Sequence, residues 1–195
     1  MDGQPSADQG MMAPTHVVVG PVLALPLLAV SPELAATGAL AGIVGGIVPD
    51  LDLFVGEHRK TLHYPVLYWI PTVPAVAIAA LVPTTATVAL ALCLTAAAVH
   101  SVTDALGGAR ELAPWEATSD LGVYHHTGRR WIPPRRIIRY DGAPEDVALS
   151  FVLAVPGIFW FGESVRTAIA VALIVAAVYG LIRKRIPRYV EPIVE

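Results

Sequence analysis

The chain has 195 residues, of which 55% are hydrophobic and 15% charged, with a mean hydropathy of +0.61. Soluble domains carry about a quarter charged residues, so the composition points to an integral membrane protein of one domain and no nucleic-acid partner is expected. The net charge of −3 is small, and a single cysteine, Cys93, excludes an intrachain disulfide and a cysteine-based metal site.

Residues 1–10, MDGQPSADQG, read as a disordered polar tail, and no basic segment of a signal peptide precedes the first apolar run. Residues 11–195 are expected to form one membrane domain. A bilayer span needs roughly 20 mostly apolar residues. Six stretches qualify: Met11–Val30, Ser31–Pro49, Tyr64–Val82, Thr84–Leu106, Val147–Gly162 and Arg166–Ile182. The pattern predicts an all-α, multi-pass transmembrane bundle of about six spans. The first two spans, joined only by Ser31, Pro32 and Glu33, should pair antiparallel, with Pro21 and Pro26 kinking the first. Gly38, Gly42 and Gly46 give the second span a face of small residues that allows close helix approach. The fifth span is short enough to tilt or re-enter.

Six spans put both termini on one side, together with the loops 50–63 and 107–146. Twelve of the thirteen Lys and Arg residues then lie on that side and only Arg166 on the other. Basic residues concentrate in cytoplasmic loops, so a cytoplasmic-membrane location with both termini in the cytoplasm is expected.

Polar residues gather at the same level. His16 lies a turn into the first span, and Asp50 and Asp52 close the second. His58 and His63 follow in the next loop, and His100 and Asp104 share one face of the fourth span. Ionisable groups at that depth are costly and usually functional. Each piece alone is weak: a histidine at a helix start is often a cap, and Asp-Leu-Asp is usually a solvated helix end. Together, imidazole and carboxylate without thiolate suit zinc first, with manganese or iron as alternatives. Seven candidate ligands exceed the four of a tetrahedral zinc and leave room for a second ion. Arg59 cannot ligate a cation, and its guanidinium fork suits a phosphate or carboxylate; a plain membrane-surface anchor is the alternative. Thr61 is a candidate to orient a ligand.

The order of these pieces carries a resemblance: His16 opening the first span, "PDLD" ending the second, "HRKTLH" soon after and "HSVTD" in a later span. It resembles the YdjM family of membrane-bound, metal-dependent hydrolases over about residues 12–108, with Leu62 inserted between Thr61 and His63. The resemblance implies a multi-pass protein with a hydrolase-type metal centre.

Residues 109–146 are polar, with Trp115, Trp131 and four prolines, and have too few apolar residues for a core of their own. This segment is expected to lie over the site or on the lipid headgroups. His125, His126, Glu116 and Asp120 are weaker candidates for the site.

Three functions compete. The first is hydrolysis of a phosphoester or lipid-type substrate at the cytoplasmic face. There the seven His and Asp residues bind metal, Arg59 holds the anionic group of a small molecule or lipid, and Asp52 takes a proton. The second is a non-catalytic metal staple within a membrane scaffold. The third is a metal or ion transporter, which would need polar residues continuing through the bilayer, and spans 5 and 6 offer almost none.

Overall fold

The computed structural model describes residues 11–189; the expected tail over 1–10 and the last six residues lie outside that range. The chain is mostly helical. Helix α1 covers Ala13–Val30 in three pieces, Ala13–Val17, Val19–Ala24 and Leu27–Val30. Pro21 and Pro26 supply no backbone N–H to the helical ladder, and the interruptions lie at or before them. Helix α2, Pro32–Ile47, continues as a tighter 3-10 turn, Val48–Leu53. Then come α3, Trp69–Leu81; α4, Thr85–Thr103, extended by a 3-10 turn at Asp104–Leu106; α5, Pro144–Phe159; and α6, Glu163–Ile182. Thr84 and Thr87 cap the start of α4 by exchanging backbone N–H bonds.

Four helical segments are long and apolar enough to cross a membrane: Ala13–Val30, Pro32–Leu53, Thr85–Leu106 and Glu163–Tyr189. The other two expected spans are shorter. Helix α3 has 13 residues and α5 has 16, with Pro74 and Pro156 inside them. At about 1.5 Å per residue neither covers a hydrocarbon core of about 30 Å unaided. The outer surface is apolar, with Ile70, Val73, Leu81, Ile174 and Leu181 all exposed, as a lipid-facing surface should be.

The helices alternate direction, so their ends sort into two layers. By chain order, the turns at Ser31, at 82–84 and at 160–162 fall at one set of ends. The start of α1 and the ends of α2 and α4 form the other. Helix α5 starts in that second layer too: buried Asp146 accepts from the Met12 N–H at 2.8 Å, the Thr15 hydroxyl at 2.6 Å and the Gly142 N–H at 3.0 Å. At the end of α6, buried Arg183 pairs with Asp141 at 2.9 Å, and Tyr179 also donates to Asp141.

Small residues set the spacing. A Cβ on Gly42 of α2 would lie 2.8 Å from Gly20 Cα of α1, closer than real Cβ atoms come. One on Gly46 would meet the carbonyl oxygen of His16. The two helices therefore touch backbone to backbone, which carries His16 to the end of α2. Val17, Val18, Ala24, Ala35, Ala39 and Ile43 pack there with Ala154, Val165 and Ile169 of α5 and α6.

The polar segment after α4 folds against this end. A short antiparallel hairpin pairs β1, Val123–His125, with β2, Arg130–Ile132. Backbone N–H groups of Arg135, Arg136, Ile137 and Ile138 donate to the carbonyls of Ala105, Leu106 and Gly107. Trp115 packs on Tyr140 and lies under the Arg183 guanidinium. The segment thus borrows its core from the helix ends, as its composition requires.

Replacing Gly42 by Leu should force α1 and α2 apart. We expect a loss of about 3 kcal/mol or more, at the upper end of overpacking effects, read as a lower thermal unfolding midpoint in detergent. An unchanged midpoint would show that the Gly20–Gly42 approach is not needed.

Candidate metal centre

The end of α2 turns in a 3-10 conformation, which directs Asp50 and Asp52 inward past Pro49. The loop that follows is tightened by Thr61, whose hydroxyl accepts from the Glu57 N–H at 2.7 Å. Gly56, with φ +94°, makes the turn there, and a Cβ on it would collide with Thr61. Thr61 therefore shapes the loop and is not hydrogen-bonded to a candidate ligand. Glu57 bridges Lys60 and Arg110, each at 2.6 Å. Burial raises its carboxyl, and these two cations more than reverse that, leaving it below its ordinary value.

All seven candidate ligands meet at this end of the bundle. Three overlapping groups could hold a metal ion: His16, His100 and Asp104; Asp50, His63 and His100; Asp52, His58 and His63. Within each group the ligand atoms lie within 4.8 Å of one another. His16, Asp52, His58, His63, His100 and Asp104 are all buried, and the Asp50 side chain is 13% exposed.

The hydrogen bonds behind the rings say more than the ring positions. His100 Nδ1 is 2.7 Å from the Gly46 carbonyl oxygen. A carbonyl only accepts, so Nδ1 donates and the Nε2 of a neutral ring is a lone pair. His63 Nδ1 donates in the same way to Asp52 Oδ2 at 2.8 Å. Both Nε2 atoms lack a hydrogen-bond partner among the described residues. They face carboxylate oxygens instead. His63 Nε2 is 3.1 Å from Asp104 Oδ2 and 3.7 Å from Asp50 Oδ1. His100 Nε2 is 3.3 Å from Asp50 Oδ1 and 3.5 Å from Asp104 Oδ2. Two lone pairs and two anionic oxygens confront one another in a buried place. That confrontation is repulsive unless positive charge lies between them. Protons on both rings would supply it; one divalent cation supplies it with ligand types that suit such an ion.

His16 adds a second direction. Its Nε2 is 3.0 Å from Asp104 Oδ1, and its ring stacks on His100 with centroids 3.6 Å apart. Asp104 thus faces His16 with one oxygen and His63 and His100 with the other, the disposition of a carboxylate that could bridge two ions.

Asp52 stands differently from the other carboxylates. Its oxygens accept from His58 Nδ1 at 2.6 Å, from His63 Nδ1 at 2.8 Å and from the Leu62 N–H at 3.1 Å. A carboxylate so engaged suits orienting two imidazoles, as in carboxylate–histidine–metal arrays, better than taking a proton. The sequence showed its proximity to both histidines but not which ring nitrogen it meets.

Arg59 is buried beside the centre. Its Nη1 donates to the carbonyls of Gly108, at 2.8 Å, and Gly122, at 3.1 Å, tying the polar segment to the site. Of the weaker candidates, none belongs to the three groups. His125 Nδ1 accepts from the Gly128 N–H within the hairpin turn. His126 packs against Tyr64 and Tyr124, where burial lowers its imidazole below the ordinary value. Glu116 is exposed on a 3-10 turn, and exposed Asp120 lies 3.8 Å from Arg136.

No family model, curated protein or solved structure matches the chain, so neither the family that the motifs resemble nor a function is established by likeness.

Two variants separate ligands from their supports. The double change His100→Ala/Asp104→Ala should abolish stoichiometric metal in the purified protein, by elemental analysis. Asp52→Asn should keep the stoichiometry and weaken affinity about 10- to 100-fold against a chelating dye. Complete loss of metal in Asp52→Asn would make Asp52 a ligand.

Proposed function

We propose that the chain is a multi-pass membrane hydrolase with a His/Asp metal centre, zinc first, manganese or iron as alternatives, acting on a phosphoester or lipid-type substrate at the cytoplasmic face. The observation that carries the metal is the pair of buried Nε2 atoms of His63 and His100, which face Asp50 and Asp104 and have no hydrogen-bond partner among the described residues. In this reading the nearest ligands are His63, His100, Asp50 and Asp104. His16 extends the set to a second ion, and on the loop side Asp52 orients His58 and His63. When bound, the metal polarises the bond to be cleaved and makes water a nucleophile near neutral pH. The protein's own part is to hold the imidazoles in one tautomer, through Gly46 and Asp52, and to exclude bulk water. Asp50, the one partly exposed carboxylate of the centre, is where water reaches it and is better placed than Asp52 to take a proton. Arg59 offers positive charge to an anionic substrate, and such charge stabilises a transition state most when it is fixed in place beforehand.

The order of motifs, which resembles the YdjM family, supports the same reading. The six-span topology is retained in it, with α3 and α5 crossing at a tilt or in a locally thinned bilayer. The twelve basic residues assigned to the site end support a cytoplasmic location for that end and both termini.

One observation favours a second reading, the metal staple. The ligand side chains other than Asp50 are at most 2% exposed, and closed sites are the structural ones. Transport is the weakest reading, because the candidate ligands are confined to one end of the bundle.

The two leading readings part in one experiment. Purified protein loaded with zinc should hydrolyse a member of a panel of phosphoesters and lipid phosphates, lose that activity on chelation and regain it with metal. Stoichiometric metal with no turnover across the panel, and a large drop in unfolding temperature on chelation, would decide for the staple. A C-terminal reporter should give a cytosolic signal; an external signal would overturn the topology.

A further inference from the structure

The guanidinium of Arg59 is only half used. Both N–H groups of Nη1 are taken by the carbonyls of Gly108 and Gly122. The opposite edge, Nε and Nη2, has no hydrogen-bond partner among the described residues, although Arg59 is fully buried. A buried charged group with three unmet N–H groups is expensive. The ring of candidate ligands does not meet the need: the nearest oxygen, Asp104 Oδ2, is 3.9 Å from Nε, beyond hydrogen-bonding distance. Nor is the side chain free to turn away. Its backbone is held at φ +61°, a left-handed conformation that few non-glycine residues adopt. Its carbonyl is fixed by the Tyr124 N–H at 2.9 Å.

The Nε–Nη2 edge is the face of an arginine that binds two oxygens of one oxyanion side by side. Here it lies next to Asp104, whose Oδ2 also faces His63 Nε2. An anion seated on that edge is therefore one carboxylate away from the metal position, and must spare a further oxygen for it. A carboxylate has two oxygens and a phosphodiester two unesterified ones. The terminal phosphoryl of a monoester has three. We propose that Arg59 forms a phosphoryl subsite and that the substrate class is a phosphate monoester. This deepens, and rests on, the metal-dependent hydrolase reading. In the reaction, a water oxygen bonds to phosphorus and the ester P–O bond breaks. The departing alcohol leaves with one proton of the water, and inorganic phosphate remains on Arg59.

The test uses a probe that cannot be hydrolysed. Phenylphosphonate has three free oxygens, its monomethyl ester two and benzoate two. Titrated calorimetrically into the zinc-loaded protein in detergent, phenylphosphonate should bind at least about tenfold more tightly than either of the others. Arg59→Lys, which keeps charge without the fork, should lose about thirtyfold of that affinity at unchanged zinc content. Equal binding of the three probes by the native protein would overturn the proposal, and so would full affinity in Arg59→Lys. Should Arg59→Lys fail to fold for lack of the Gly108 and Gly122 bonds, the comparison of the three probes decides alone. Preference for phenylphosphonate without turnover of phenyl phosphate would support the subsite while sinking the hydrolase. Turnover of an ester without that preference would do the reverse.

Discussion

The Gly46 carbonyl behind His100 is the interaction on which the site end of this molecule depends. It consumes the only proton of a neutral imidazole and so aims a lone pair at Asp50 and Asp104. Gly46 can reach His100 because α2 and α4 touch through small residues, Gly45 lying against the backbone of Cys93. The same glycine brings the His16 backbone alongside. One close-packed crossing thus sets the positions of ligands from three helices. A larger side chain anywhere along it would displace the chemistry before it exposed any hydrophobic surface.

Around that point, the supports are both local and distant in sequence. Asp52 orients His58 and His63. Arg59 binds the segment after α4 through Gly108 and Gly122, and that segment in turn engages Arg183 through Asp141 and Leu112. The polar covering is therefore continuous with the site and not a separate appendage. Its hydrogen bonds end on the backbone of the 3-10 turn that carries Asp104. A metal ion or an anion bound at the centre would stiffen that covering, because the groups it touches are the groups that hold it.

Much of this was legible in residue order. The long apolar runs give four helical segments of spanning length, and Pro-Asp-Leu-Asp and His-x3-Asp fall at helix ends where the alternation of spans puts them side by side. The Gly38, Gly42 and Gly46 spacing foretold a close approach, and its partner is α1. What residue order could not carry was direction. Nothing in the spacing says that Asp52 meets Nδ1 rather than Nε2, or that Arg59 is buried with one edge satisfied. The length of α3 was overread, because Tyr64–Tyr68 continue the composition of a span before the helix starts at Trp69; α5, with 16 residues, is as short as the expected fifth span. The hairpin over 123–132 was missed, since its strands are three residues long and its turn, His126-Thr127-Gly128-Arg129, is its only signal. Asp146 was missed as well; as an acidic residue at a helix start it looks like an ordinary dipole partner, and its bonds to Met12 and Thr15 span more than a hundred residues.

Those bonds bear on the order in which the molecule comes together. His16 is made well before Asp146, yet the carboxylate that pins the turn carrying His16 belongs to α5. Helices α1 to α4 can insert and pair beforehand, bringing His16 near His100 and Asp104. The start of α1 stays unanchored until Asp146 arrives, so assembly of the centre is completed by the last third of the chain. A truncated product lacking α5 would carry all seven candidate ligands and still leave the first of them loosely held.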